Sequence, residues 1–177
     1  PLALTARNTT INDIDVLNEI FQKTFKNYEG NIARNKKNWQ SWIESTKAEG
    51  GNGYLFLENN QPVGYLFYIL KEGVLTISDW GAVSQNARKG LISFLYQHRA
   101  QAQSIQLDIP TDDPWIYLLP ELKERVSFIP FMSSRIVDAQ KLVDSLQWPG
   151  EGRFVLEISD SILEWNHGTF LLELNAL

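Results

Sequence analysis

The 177 residues predict an α/β (α+β) fold: a mixed central sheet flanked by helices, with a smaller α/β unit after it. Three observations predict it. Leu75 and Ile77, then Leu107 and Ile109, alternate with the period of two of strands. Between those strands Leu91, Phe94, Leu95 and His98 recur at a spacing of three or four, which sets one helix face against a sheet. Read in order, the chain up to residue 130 gives β-α-α-β-β-β-α-β, with a hairpin in the middle and a β-α-β crossover at the end.

Each element has a local reason. Leu2 to Ala6 suits a short first strand. Thr10-Ile11-Asn12-Asp13 reads as a capping box, and Ile11, Ile14, Leu17, Phe21 and Phe25 mark one face of the helix that follows. A second helix, Asn35 to Glu49, presents Trp39, Trp42, Ile43 and Thr46, and the glycines at 50, 51 and 53 stop it. The hairpin runs from Tyr54 to Glu58, turns through Asn59-Asn60-Gln61-Pro62, and returns from Val63 to Leu70, with Pro62 at a strand start. Lys71-Glu72-Gly73 leads into a strand from Val74 to Trp80, with Asp79-Trp80-Gly81 as a candidate bulge. A helix from Ser84 to Gln101 and a strand from Ser104 to Ile109 close the crossover. Asp112-Asp113-Pro114 then turns the chain into a short helical stretch, Trp115 to Leu119, and a strand near Val126 to Phe131.

After Pro130 the pattern changes. A helix carries Ala139, Leu142, Val143 and Leu146 inward, and Trp148-Pro149-Gly150 ends it. Strands Arg153 to Ser159 and Thr169 to Leu174 follow, each with one apolar face: Phe154, Leu156 and Ile158, then Phe170, Leu172 and Leu174. One helix and two strands do not cover such a face in water, so this unit is unfinished at Leu177 or packs on the first. The chain starts at Pro1 and its one methionine is Met132, which points to upstream sequence removed from a longer product.

Composition narrows the function. A net charge of −5 argues against nucleic acid, whose backbone rewards a basic face. Lys23, Lys26, Arg34, Lys36 and Lys37 form the one basic cluster and read as an exposed face. The absence of cysteine excludes disulfides and a thiolate nucleophile. No apolar run is long enough to span a membrane as a helix. Asp112 and Asp113 lack the further spaced oxygens a calcium site needs, so a turn is expected and no metal. His98 reads as an interior residue and His167 as a turn residue. No Ser, His and acid form a triad signature. Asn8-Thr9-Thr10 fits a glycosylation acceptor by chance.

The entry to the Ser84 helix bears most on activity. Unpaired amides at a helix start can cradle phosphate. The element order is that of the GNAT acetyltransferases, which place Gln/Arg-x-x-Gly-x-Gly/Ala here so that bare backbone meets the pyrophosphate of coenzyme A. Starting that pattern at Gln85 puts Arg88 where the first glycine belongs, and only Gly90 fits. Arg88 and Lys89 are expected to be solvated. The geometry is kept and the cofactor chemistry lost.

Later segments are more specific. Arg135-Ile136-Val137-Asp138, then Gly152-Arg153-Phe154-Val155-Leu156-Glu157-Ile158-Ser159-Asp160, then Trp165-Asn166-x-Gly168-x-Phe170-x-Leu172-Glu173-Leu174 together resemble the enhanced intracellular survival (Eis) family. The Trp39/Trp42 helix, Gln61-Pro62-Val63-Gly64-Tyr65, and Asp112-Asp113-Pro114 with Leu118-Leu119 agree. The resemblance implies a cytoplasmic, homo-oligomeric N-acetyltransferase in three parts. An upstream GNAT domain binds acetyl-CoA as co-substrate. Residues 1–130 are a central GNAT-like domain lacking a working CoA loop, and residues 131–177 begin a sterol-carrier-protein-like domain. In that family a tyrosine of the first domain is the general acid and the terminal carboxylate of the whole protein the base. Neither position exists here, so no residue of this chain is assigned as catalytic, Leu177 included. Acceptors in the family are amines on cationic small molecules or lysines.

By position in that family, Tyr28, Trp39, Trp115, Arg135 and Asp138 are the candidates to line the acceptor pocket. Aromatic faces and a carboxylate favour a cationic amine. Asp138 reads equally as that carboxylate and as a helix N-cap, Trp39 as core as well as pocket, and Arg135 as the partner of Asp138. The alternatives to an enzyme are a non-catalytic module for a small molecule or lipid, and a structural scaffold.

Overall fold

The computed structural model describes residues 4–28, 30–118, 126–129, 133–148 and 150–174. The chain divides into two units, Pro1–Arg125 and Val126–Leu177.

In the first unit, β1 (Thr5–Asn8), β2 (Asn52–Glu58), β3 (Gln61–Lys71), β4 (Val74–Ala82) and β5 (Ser104–Gln106) form one sheet in chain order. All neighbours are antiparallel except β4 and β5, which are parallel and joined through α3 (Gln85–Tyr96). This is the expected mixed sheet flanked by helices. The helices α1 (Ile14–Phe25) and α2 (Lys36–Ala48) cover one face through Leu17, Ile20, Phe21, Trp39 and Ile43 against Leu55, Tyr65 and Phe67. On the other face α3 brings Leu91 and Leu95 against Phe56, Leu66, Leu75, Ile77 and Trp80. Both faces of β3 are therefore dry. Its run of Tyr65, Leu66, Phe67 and Tyr68 is apolar throughout because no position faces water.

Local chemistry moves several boundaries. The first strand starts at Thr5 and runs to Asn8, while Leu2 and Ala3 lie outside the described residues. At the entry to α1 the Asp13 carboxylate accepts from the Thr10 amide at 2.8 Å and from the Thr10 hydroxyl at 3.0 Å, and Arg7 grips both of its oxygens. Asn35 caps α2 reciprocally with Asn38 at 2.9 and 3.0 Å. Asn59 and Asn60 both take positive φ, which closes the hairpin in two residues and lets β3 begin at Gln61. The bulge lies at Ser78 and not at Asp79–Gly81: Phe67 pairs with Asp79 and Tyr68 with Ile77, leaving Ser78 unmatched. The crossover helix ends at Tyr96 and tightens into a 3-10 turn over Gln97–Ala100. The last strand of this sheet stops at Gln106, three residues short of Ile109, and the short helical stretch after Pro114 forms as α4 (Trp115–Leu118).

Two expectations are corrected outright. Val126 to Ile129 carry no regular structure and expose Val126, Phe128 and Ile129, so the strand expected there is absent from those residues; Pro130 and Phe131 lie outside the description. An apolar alternation this short does not make a strand without a partner to pair with. In the second unit α5 (Ala139–Ser145) buries Ala139 but leaves Leu142 and Leu146 exposed. Its sheet is the expected hairpin, β6 (Gly152–Ile158) against β7 (Gly168–Leu174), with Phe154 opposite Leu172 and Leu156 opposite Phe170. A helix of two turns cannot roof it, and Leu172 is its only fully buried apolar residue among those described.

Candidate functional site

The loop into α3 begins well for an anion seat and then closes. Ser84 takes extended backbone and its hydroxyl accepts from the Ala87 amide at 3.1 Å, so the helix start is capped. Arg88 is not solvated as expected. Its guanidinium turns inward to Asp113 at 2.9 Å and lies over the Trp80 ring at 5.8 Å. The Asp113 side chain is 1% exposed, and its second oxygen accepts from the Trp115 amide at 3.1 Å. Trp80 and Trp115 meet edge to face at 5.3 Å, and the Trp80 indole donates to the Asp108 carbonyl at 3.0 Å. These side chains fill the divergence of β4 from the chain that leaves β5.

Gly90 has a packing reason of its own: a Cβ there would fall 2.0 Å from Leu4 Cδ1. The one glycine that fitted the cofactor pattern thus serves contact with the segment before β1. The loop departs from the bare-backbone pattern at Arg88, whose side chain is paired inward to Asp113. Among the described residues Arg88 Nε and Trp115 Nε1 are buried without a hydrogen-bond partner, so the plug is tight but not fully satisfied.

Three of the expected pocket residues fall along one aromatic run. Trp39 meets Phe21 at 6.0 Å, Phe21 meets Phe25 at 5.2 Å, Phe25 meets Trp80 at 5.4 Å, and Trp80 meets Trp115. Tyr28 sits beside Phe25 at 6.1 Å. Burial pushes the Tyr28 hydroxyl above its usual range, with Asp112 adding to it. Trp39 is 1% exposed and its indole donates to Asn18 at 3.0 Å, the core arrangement weighed for it.

The sequence missed a polar centre on the α1/α2 side of the sheet. Arg34, counted with the exposed basic cluster, is largely buried and ion-paired to Asp79. The Tyr65 hydroxyl donates to the same carboxylate at 3.2 Å. Burial pushes the Asp79 carboxyl up while Arg34 pulls it down, and burial holds the Tyr65 hydroxyl well above its ordinary range. A charged residue in the middle of an apolar strand was the available signal.

In the second unit Asp138 is the N-cap of α5, accepting from the Lys141 amide at 3.0 Å. Arg135 pairs with Asp160 and not with Asp138. Asn166 accepts from the Ala139 amide at 2.9 Å and donates to the Ile136 carbonyl, while the Trp165 indole donates to the Val137 carbonyl at 2.8 Å. The Trp165-Asn166 signature thus clamps the backbone of 136–139. His98 is satisfied as expected: its Nδ1–H donates to the Phe94 carbonyl, leaving Nε2 to accept from the Tyr68 hydroxyl at 2.9 Å. Among the described residues no group of three or more His, Asp or Glu could hold a metal. None of their helices is long and apolar enough to cross a membrane.

Residues 30–136 match the family model of the acetyltransferase (GNAT) domain. The chain belongs to the GNAT acetyltransferase family. Among solved structures, this GNAT chain is similar to a GCN5-related N-acetyltransferase from Anabaena variabilis, with TM-score 0.78 and 23% identity over 99% of this chain and 47% of that one. It is also similar to a probable N-acyltransferase from Enterococcus faecalis, with TM-score 0.83 and 21% identity over 98% of this chain and 45% of that one. The chain therefore spans about half the length of these two. An aminoglycoside acetyltransferase from an uncultured soil metagenomic sample, in complex with sisomicin, matches 74% of this chain over 97% of its own, with TM-score 0.52 and 16% identity. No protein of curated function matches the sequence significantly.

Proposed function

We propose that the chain is part of a GNAT-superfamily N-acetyltransferase that moves acetyl from acetyl-CoA to a primary amine, this region shaping the acceptor side and the assembly. The observation that supports the reading is the loop into α3, where Arg88 stands at the first glycine's position of the family pattern and is paired inward to Asp113. A GNAT fold without its own seat supports a division of labour, with acetyl-CoA held by an upstream domain outside these residues. In the transfer the amine nitrogen attacks the thioester carbonyl, the C–N bond forms, and the C–S bond breaks to release coenzyme A as the thiol with the amine's proton.

The residues proposed for the acceptor side are Tyr28, Trp39 and Trp115 from the first unit and Arg135 and Asp138 from the second. Phe25 and Tyr28, the half-buried rings of the aromatic run, favour a protonated amine. The amine acceptor of the structurally similar aminoglycoside acetyltransferase supports the choice of a primary amine. The proposed architecture is that of the Eis family, with residues 1–130 as its central domain and 131–177 as the start of a sterol-carrier-like domain, in a homo-oligomeric, cytoplasmic protein. Titration calorimetry of residues 1–177 with acetyl-CoA tests the reading. No saturable heat is expected, and binding at micromolar concentration overturns it.

One observation favours a second reading, a non-catalytic apolar-ligand module. The second unit holds a cleft of about 290 Å³ against Val143, Leu156, Ile158, Phe170 and Leu172. Saturable uptake of a fluorescent fatty acid, lost in Phe170→Asp, favours this module; no uptake removes it.

A further inference from the structure

Aromatic rings crowd one partly buried cation. The Arg34 guanidinium carbon stands 4.1 Å from the Phe21 ring centroid, 4.8 Å from Trp39 and 5.3 Å from Trp42. Its nitrogens meet both oxygens of Asp79, which is 8% exposed and also bound by Tyr65. A carboxylate floor between flat π faces is complementary to a planar, delocalised cation. Folding alone does not call for it, since a buried ion pair roughly breaks even against apolar side chains of the same volume. What the arrangement supplies is selectivity.

The cation comes from an irregular stretch, Gly30 to Asn35, and not from a helix or strand. Gly30 takes a left-handed φ of +82° in open space, and Ile32 is 65% exposed. The Asn31 amide ties the stretch down, donating to the carbonyls of Phe25 at 2.9 Å and Tyr28 at 2.7 Å. Beneath it lies a cleft of about 220 Å³ walled by Phe21, Phe25, Tyr28 and Ile32, sharing Phe21 with the cage. Trp42, the outer wall, is 36% exposed. With Trp42 partly open and the Arg34 side chain 20% exposed, the cage reaches solvent.

We propose that Phe21, Trp39, Trp42, Tyr65 and Asp79 form a receptor site for a guanidinium-bearing small molecule, which the chain holds closed with Arg34 as a tethered occupant. A ligand entering exchanges one guanidinium for another, so Asp79 is never left buried and unpaired. The tether gives Arg34 an effective concentration on the order of millimolar, so the free ligand binds more weakly than the bare cage would allow. The site shares Trp39 with the acceptor side proposed above, and its test uses no acetyl donor, so it stands or falls independently of acetyl transfer.

The test follows the indole N–H signals of Trp39 and Trp42 by NMR while the intact chain is titrated with agmatine. Saturable shifts are expected in the wild type at millimolar concentration. Arg34→Ala, with the competitor removed, is expected to bind about tenfold more tightly or better. Where Arg34→Ala does not fold, Arg34→Lys takes its place with an intermediate gain, because an ammonium stacks poorly on rings. Trp42→Ala, which removes a partly exposed wall, is expected to weaken binding, and butylammonium at equal ionic strength to leave the signals in place. Unmoved indoles at tens of millimolar agmatine in both wild type and Arg34→Lys overturn the proposal, as do equal shifts with butylammonium.

Discussion

Arg88 stands where the family's loop carries a glycine, yet it is neither a phosphate contact nor a free surface charge. Asp113 takes it inward, and removing it strands a carboxylate that is 1% exposed. Arg88→Ala is expected to lower unfolding free energy by about 3 kcal/mol in urea titration. Arg88→Gly is expected to lose as much and still bind no acetyl-CoA, because Trp80 and Trp115 keep the cleft. Asp13 gives the pH dependence. Its pKa is lowered to about 2, first by the Arg7 hydrogen bonds and then, against burial, by Thr10. A carboxyl depressed on folding stabilises above its unfolded pKa and loses that contribution as pH falls through the folded one. The midpoint of urea unfolding is thus expected to fall between about pH 4 and pH 2, and Asp13→Asn to flatten that fall.

Elements end where side chains satisfy their open backbone groups. The reciprocal Asn35–Asn38 cap starts α2, which carries Trp39 and Trp42, so Asn35→Ala is expected to cost about 1 kcal/mol by thermal or urea unfolding. The β4 bulge has a consequence for register: with Ser78 unmatched, Asp79 reaches Arg34 and Tyr65 on the α1/α2 side while Trp80 turns to α3. Hydrophobic period marked every helix and nearly every strand of the first unit, because two-faced burial writes itself into composition. Ends were less legible. The Asn35–Asn38 pair and the positive φ of Asn59 and Asn60 depend on single polar side chains that leave no periodic trace.

Across the whole molecule the two units differ in how much each buries. The first has dry layers on both sides of β3, while the second leaves Phe154, Leu142 and Leu146 open. Hydrogen exchange is therefore expected to be slowest in β3 and β4 and faster by orders of magnitude in β6 and β7, since local opening tracks local burial. Equal protection in both hairpins would contradict this account.

The sequence by itself determined the element order, the mixed sheet and the break in the glycine pattern at Arg88, since periodicity and a missing glycine are local properties of a chain. Only the tertiary structure decided where the charges went. Arg88 found Asp113, Arg34 found Asp79 across 45 residues, and Arg135 found Asp160 in place of Asp138. Ion pairs form between groups that folding brings together, and neither hydrophobic period nor spacing records which cation will be carried to which buried carboxylate.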